Sequence, residues 1–438
     1  MGEINFVNFN QDFTCICVGT GNGYKVYYCD PFGRSFSKSE GGIGIVEMLF
    51  STSLVAVVGM GDQPALSPRR LKIINTKRQM TICELTFPTA VLKVMLNRKR
   101  LVVLLEEQIY IYDIANMKLL HTIETSPNCG AICALAPSSE NCYLVYPSSV
   151  PQINPLSLPA HAPTNGPGSA SSPSRKGEVT IYDALSLQPV NVVEAHKSPL
   201  SIVALNSEGT LMATASDKGT IIRIFSVPSG SKLYQFRRGT YPAKVFSINF
   251  NLSSSMIAVS SATETVHIFK LTGPGGGTTS TNASISSGNA DSDSPDGGSI
   301  DQPEPSESSE NNGNRLLPRQ VTPSMGMDAY IESKNKSNVA GLLRRSSQSL
   351  GRHVAGAVGG YLPNAVTEMW EPKERDFAFI KLPAQAGTKS VVALSSVSPH
   401  HVMVVTSEGY FYQYTIDLDR GGECELDKQY SLLDSGDE

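Results

Sequence analysis

No run of 18 apolar residues occurs in this chain, so no stretch of it reads as a bilayer-spanning helix. The opening Met1-Gly2-Glu3-Ile4-Asn5-Phe6 lacks the basic and apolar regions of a signal peptide, and Phe6 stands where a myristoylation signal carries Ser or Thr. These absences predict a cytoplasmic protein whose contact with any membrane is peripheral. A strong net charge is missing as well. At −4 over 438 residues there is no global attraction for nucleic acid or an anionic surface, so an anion must be held by a local pocket. None of the eight cysteines forms a CxxC pair and most sit in apolar runs, which predicts free, buried thiols in a reducing compartment. HExxH, GxSxG and Walker A patterns are absent. Gly19-Thr20-Gly21-Asn22-Gly23 is followed by the strand pattern Tyr24-Lys25-Val26-Tyr27-Tyr28 rather than a helix, so it reads as a hairpin turn and not a phosphate loop. His400-His401 has no Cys or carboxylate at metal spacing. No enzyme, metal site or cofactor is expected.

Helical periodicity is scarce too. What fills the chain instead is short runs of Val, Ile, Tyr and Phe separated by Gly, Ser, Asn and Asp, an all-β pattern. One feature recurs, a strand ending in a pair that is aromatic or aliphatic in six cases and Gln-Tyr in the seventh: Tyr27-Tyr28, Ile73-Ile74, Ile111-Tyr112, Ile181-Tyr182, Ile224-Phe225, Ile268-Phe269 and Gln413-Tyr414. Most intervals lie near the roughly 40–50 residues of a four-stranded propeller blade. Seven markers predict a single seven-bladed β-propeller over 1–432. Two intervals are long because of insertions. The first, 148–177, is rich in Pro, Ser and Ala; the second, 272–365, opens on Gly275-Gly276-Gly277 and an acidic Ser/Asp/Glu tract. Neither composition can bury enough apolar surface to order itself, apart from the later part of the second. Residues 433–438 form a short acidic tail.

Phe236-Arg237-Arg238-Gly239 closes the strand pattern Leu233-Tyr234-Gln235-Phe236. Successive strand side chains point to opposite faces, so the two arginines serve two different sides. Each planar guanidinium can hold a pair of phosphate oxygens, and Gly239 permits close approach of a ligand to the backbone. Alone, an Arg-Arg pair is most simply a solvated strand end. Here it lies between Thr214-Ala215-Ser216-Asp217-Lys218-Gly219-Thr220-Ile221-Ile222-Arg223-Ile224-Phe225 and Thr263-Glu264-Thr265-Val266-His267-Ile268-Phe269. These three motifs, in this order, resemble the PROPPIN family of phosphoinositide-binding seven-bladed β-propellers that act in autophagy and endolysosomal traffic. The resemblance covers the chain apart from the two insertions. It is strongest to the autophagy members, and the long second insertion points to a fungal one.

The resemblance implies two headgroup pockets. His196, Ser216, Gly219, Thr220, Arg223 and Arg237 match the first; Arg238, Ser261, Thr265 and His267 match the second, with Gly239 beside both. It implies phosphatidylinositol 3-phosphate and phosphatidylinositol 3,5-bisphosphate as ligands, on preautophagosomal, vacuolar and endosomal membranes. Taken singly, Thr220 and Thr265 could be ordinary strand residues and His196 a structural histidine of the kind WD repeats carry. Asp217 sits in an Asp-Lys-Gly turn and reads as organising it. Both arginines are expected at a rim where neither supports the core.

Residues 339–358 carry the one helical pattern. Val339, Leu343, Leu350, Val354 and Val358 trace an apolar face with Leu342 beside it, while Arg344, Arg345 and Arg352 fall elsewhere. This reads as an amphipathic membrane-interface segment, the alternative being a loop packed on the propeller. In the family the corresponding loop inserts into bilayers. The basic stretches Leu66-Ser67-Pro68-Arg69-Arg70-Leu71 and Asn97-Arg98-Lys99-Arg100-Leu101 read equally as solvated turns or docking sites. Pro68 and Arg69 resemble the region used for the large autophagy lipid-transfer protein. The expected function is thus a phosphoinositide effector that recruits autophagy proteins, the alternative a WD-type scaffold that binds proteins only.

Overall fold

The computed structural model describes residues 3–148, 177–271, 375–395 and 400–433. They form seven antiparallel sheets arranged as the blades of a propeller. Blades 1 to 3 take residues 4–39, 43–86 and 93–124, and blade 4 takes 134–196; blade 5 takes 200–237. Blade 6 combines 245–270 with Ala378–Lys381 and gains a short fifth strand, Gly422–Glu423, which runs parallel to its edge. Blade 7 lies within 390–431.

The recurrent residue pair falls on the third strand of every blade, from Gly23–Cys29 in blade 1 to Tyr410–Thr415 in blade 7. Its constancy has a packing cause. A third strand touches neighbouring blades on both faces, so in six blades both members of the pair are buried, as Ile224 and Phe225 are; in blade 1 Tyr27 is buried and Tyr28 is exposed. Second strands such as Cys15–Thr20 and Met256–Ser261 are buried throughout. Fourth strands such as Phe32–Ser39 alternate toward solvent. The glycine-rich stretch is the expected hairpin, with Gly21-Asn22 joining Cys15–Thr20 to Gly23–Cys29.

The apolar core is divided into seven clusters, and each straddles one seam between neighbouring blades. At the seam between blades 7 and 1 no described strand is shared. Closure there rests on Phe32, which stacks between Tyr27, Phe411 and Tyr430, and on the Tyr27 hydroxyl, which donates to the Leu432 carbonyl at 2.9 Å. A cavity of about 270 Å³ opens among the first strands around the axis, and none of the motif residues lines it.

Residues 149–176 fall between two paired strands of blade 4, and 272–374 between the third and fourth strands of blade 6. The apolar face of Leu342, Leu343, Leu350, Val354 and Val358 therefore lies outside the described residues, as do 434–438. The cysteines are all free; Cys129 is exposed and Cys83 half-buried, the other six buried.

Candidate functional site

The motifs meet on blades 5 and 6. In blade 5 the third strand, Ile221–Ser226, pairs with the fourth, Lys232–Arg237, so that Arg223 lies opposite Gln235 and Ile221 opposite Arg237. Arg223, Gln235 and Arg237 consequently share one face, which looks toward blade 4. Phe236, on the other face, is buried and stacks on Phe269 of blade 6 with ring centroids 4.7 Å apart. Arg238 follows it to that side.

Arg223 is held from three directions. Its Nε donates to Gln235 Oε1 at 2.8 Å and its Nη1 to the Ala195 carbonyl at 2.7 Å; Nη1 also faces His196 Nδ1 at 3.5 Å. His196 Nε2 meets Thr214 Oγ1 at 3.0 Å, and that hydroxyl reaches back to the Arg223 carbonyl at 3.4 Å. This network assigns the ring proton to Nε2. Burial, with Arg223 adding repulsion, pushes His196 down to about 4, so the imidazole is neutral at pH 7. Both ring nitrogens are engaged and only 5% of the residue is exposed, so His196 stands behind Arg223 on this face. The resemblance implies direct contact of His196 with a headgroup; the structure places it one layer in, against the guanidinium of Arg223. Arg223 Nη2 makes no bond among the described residues.

Arg237 is exposed, and its one hydrogen bond among the described residues goes from Nη2 to Thr240 Oγ1 at 3.2 Å. Arg238 departs from the expectation of two rim arginines. It is 5% exposed; its Nε donates to the Gly219 carbonyl at 2.6 Å and its Nη2 to the Tyr241 carbonyl at 2.6 Å. Burial lowers its pKa. Its guanidinium therefore also pegs two turns together, which a strand pattern cannot reveal because both carbonyls belong to loops. Among the described residues no carboxylate pairs with Arg223, Arg237 or Arg238.

Gly219 explains why its turn needs glycine. Its φ is +59°, and a Cβ there would stand 2.0 Å from the Ala243 carbonyl oxygen. Asp217 accepts from the Lys218 backbone, the organising role expected of it. Ser216 is buried at the end of its strand and Thr220 half-buried, its carbonyl accepting from the Arg238 backbone. Gly239 has open space where a Cβ would go.

In blade 6, buried Ser261 shares a hydrogen bond with Thr263, and Thr265 lies opposite Lys381. His267 Nδ1 meets Asp376 Oδ2 at 2.9 Å. Gln235 and Asp376 are the supporting residues that reading the motifs missed. Strand alternation from Arg237 could have found Gln235. Asp376 lies 109 residues beyond His267 and carried no signal.

A family model described as PROPPIN matches residues 3–158 and 160–289. The chain belongs to the PROPPIN family. Among curated PROPPIN relatives, autophagy-related protein 18 of Yarrowia lipolytica is 60% identical over 99% of this chain and 97% of its own length. The protein of the same name from Mycosarcoma maydis is 55% identical over 98% of this chain and 92% of its own. Of solved PROPPIN-like structures, KlAtg21, in complex with the coiled-coil of AgAtg16, superposes with a TM-score of 0.63 at 27% identity, covering 98% of this chain and 99% of that one. Kluyvelomyces marxianus Hsv2 reaches 0.62 at 16% identity over 99% and 100%, a likeness of fold. Phosphoinositide binding is general in the PROPPIN family.

Proposed function

We propose that this PROPPIN is a non-catalytic effector that captures phosphatidylinositol 3-phosphate and phosphatidylinositol 3,5-bisphosphate in two pockets and recruits autophagy proteins to the membranes that carry them. The observation that carries this reading is the pair of guanidinium groups on one face of blade 5, Arg223 and Arg237, with donors to spare and no carboxylate opposing them among the described residues. Desolvated ion pairing would waste such groups; an incoming phosphate ester satisfies them in bidentate fashion. Arg238, with Ser261, Thr265 and His267, supplies donors for the second pocket. Two weak sites on one rim act together by avidity, and the apolar face of 339–358 would add a third contact with the bilayer. Preautophagosomal, vacuolar and endosomal membranes are the expected destinations. Pro68 and Arg69 lie in the turn between the second and third strands of blade 2, where Arg69 Nε donates to the Phe87 carbonyl. They are the proposed docking point for a large lipid-transfer protein.

The test is vesicle flotation across a panel of phosphoinositides with wild type, Arg237→Thr and the Arg237→Thr/Arg238→Thr double variant. Losing one charge-assisted contact of about 1.5–3 kcal/mol should weaken binding roughly tenfold or more in the single variant. The double variant should not float. Flotation of the double variant at wild-type level would sink the reading. Protein recruitment without lipid is the second reading, favoured by the neighbour solved with a coiled-coil partner. It expects no phosphoinositide dependence in the same assay.

A further inference from the structure

The turn that follows Arg238 carries an aromatic side chain that the pockets do not use. Tyr241 is 83% exposed, against 55% for the next most exposed large apolar residue among those described, Val192. Its ring and hydroxyl make no hydrogen bond or ring contact among the described residues, and Pro242 beside it is also exposed. Such exposure ordinarily accompanies a mobile loop, yet this backbone is fastened. Arg238 Nη2 holds the Tyr241 carbonyl at 2.6 Å, the Ala243 amide donates to the Lys218 carbonyl at 3.1 Å, and Arg237 binds the Thr240 hydroxyl. The same Arg238 ties the turn to Gly219 of the neighbouring hairpin. A large ring left exposed on a backbone fastened at several points is presented to something.

Exposed Lys218, Arg237 and Lys244 lie on the segments these bonds join, with Asp217 the acidic group among them, its carboxylate taken up in its own turn. A basic rim around a projecting amphipathic ring matches an anionic bilayer surface, where tyrosine settles at headgroup depth with its apolar body toward the acyl boundary. We propose that Tyr241 is an interfacial anchor, pegged by Arg238, that enters the phosphoinositide-bearing membrane between the two headgroup pockets. The inference rests on the lipid-effector reading above. It gives Arg238 a second task, since the guanidinium that serves one pocket also fixes the anchor's direction.

The experiment compares wild type, Tyr241→Ala and Tyr241→Trp in two assays. One is calorimetry with soluble short-chain phosphatidylinositol 3-phosphate; the other is flotation with phosphatidylcholine vesicles containing the long-chain form of the same lipid. Tyr241→Ala should keep headgroup affinity and lose about tenfold in vesicle affinity, the loss expected from withdrawing one large ring from an apolar boundary. Tyr241→Trp should bind vesicles at least as well as wild type. Its indole emission, read as the difference from a wild type whose single Trp is Trp370, should shift to the blue on those vesicles and not on phosphatidylcholine alone. Unchanged vesicle affinity in Tyr241→Ala, or an emission that does not move, would overturn the proposal and leave the ring to a protein partner. So would a parallel fall in both assays, which would place Tyr241 inside a pocket. A wild type that binds neither probe would instead defeat the effector reading and the anchor with it.

Discussion

At the scale of single residues, the two arginines of one dipeptide do different work because strand alternation sends them to different environments. Arg237 ends in solvent with donors to spare, while Arg238 donates to two loop carbonyls. His196 is a motif residue whose burial shapes its titration. Its pKa is depressed to about 4 from an ordinary 6.5, with burial the larger cause. The unfolded chain therefore takes up a proton near pH 6.5 that the folded protein accepts only near pH 4. Acidification through that window favours unfolding, by roughly 3 kcal/mol for a shift of this size. His196→Gln removes the titration. The variant should lose correspondingly less stability than wild type between pH 6.5 and pH 4, measured as the difference in urea-unfolding free energies. Parallel pH profiles would mean that His196 titrates normally and is not locked between Arg223 and Thr214. The identity of the basic site residues was legible in the sequence; their division into exposed and buried was not, because it depends on where the loop carbonyls of Gly219 and Tyr241 come to rest.

At the scale of the element, the two glycines of the motifs make opposite demands. Gly219 sits in a left-handed turn with a neighbouring carbonyl where its Cβ would be, whereas Gly239 faces open space. Gly219→Ala must move the turn or the 240–243 segment, and either movement breaks the Arg238–Gly219 bond. It should lower thermal stability, by roughly 1–3 kcal/mol for strain of this kind, and weaken headgroup binding with it. Gly239→Ala should leave the melting temperature unchanged and weaken only headgroup affinity, if the open space is where the ligand comes close. Calorimetry and thermal unfolding on the same two variants separate these outcomes; a Gly239→Ala that binds normally removes that glycine from the site. The blade repeat was readable because third strands are packed on both faces and so bury two adjacent large residues in every blade but the first, where Tyr28 is exposed. The fifth strand of blade 6 was not. Gly422–Glu423 is two residues long, and its pairing is decided by the edge of Ala378–Lys381, distant in sequence.

At the scale of the whole molecule, a ring differs from an open array of repeats in having one seam that joins its ends. The chain itself crosses six seams as it passes from blade to blade, and local connection limits how far those neighbours can separate. Blades 7 and 1 have only side chains between them, gathered around Phe32 with its three aromatic neighbours and the Tyr27–Leu432 hydrogen bond. Phe36, which lies 5.7 Å from Tyr24 at the seam between blades 1 and 2, provides a comparison on the same outer strand, with one aromatic neighbour in place of three. Truncating either ring forfeits contacts of similar kind, up to about 3 kcal/mol each for half-buried aromatics. Phe32→Ala should nevertheless be the more damaging, since opening its seam frees two blade faces at once and lets the ring spread. It is expected to lower the midpoint of thermal unfolding further than Phe36→Ala and to broaden the transition, with cleavage by added protease appearing first in blades 1 and 7. The proposed headgroup site lies on blades 4 to 6, away from that seam, so affinity per folded molecule should remain at the wild-type level. Equal destabilisation by the two variants would show that closure carries no special share of the stability, and that the propeller behaves as seven nearest-neighbour contacts of the same weight.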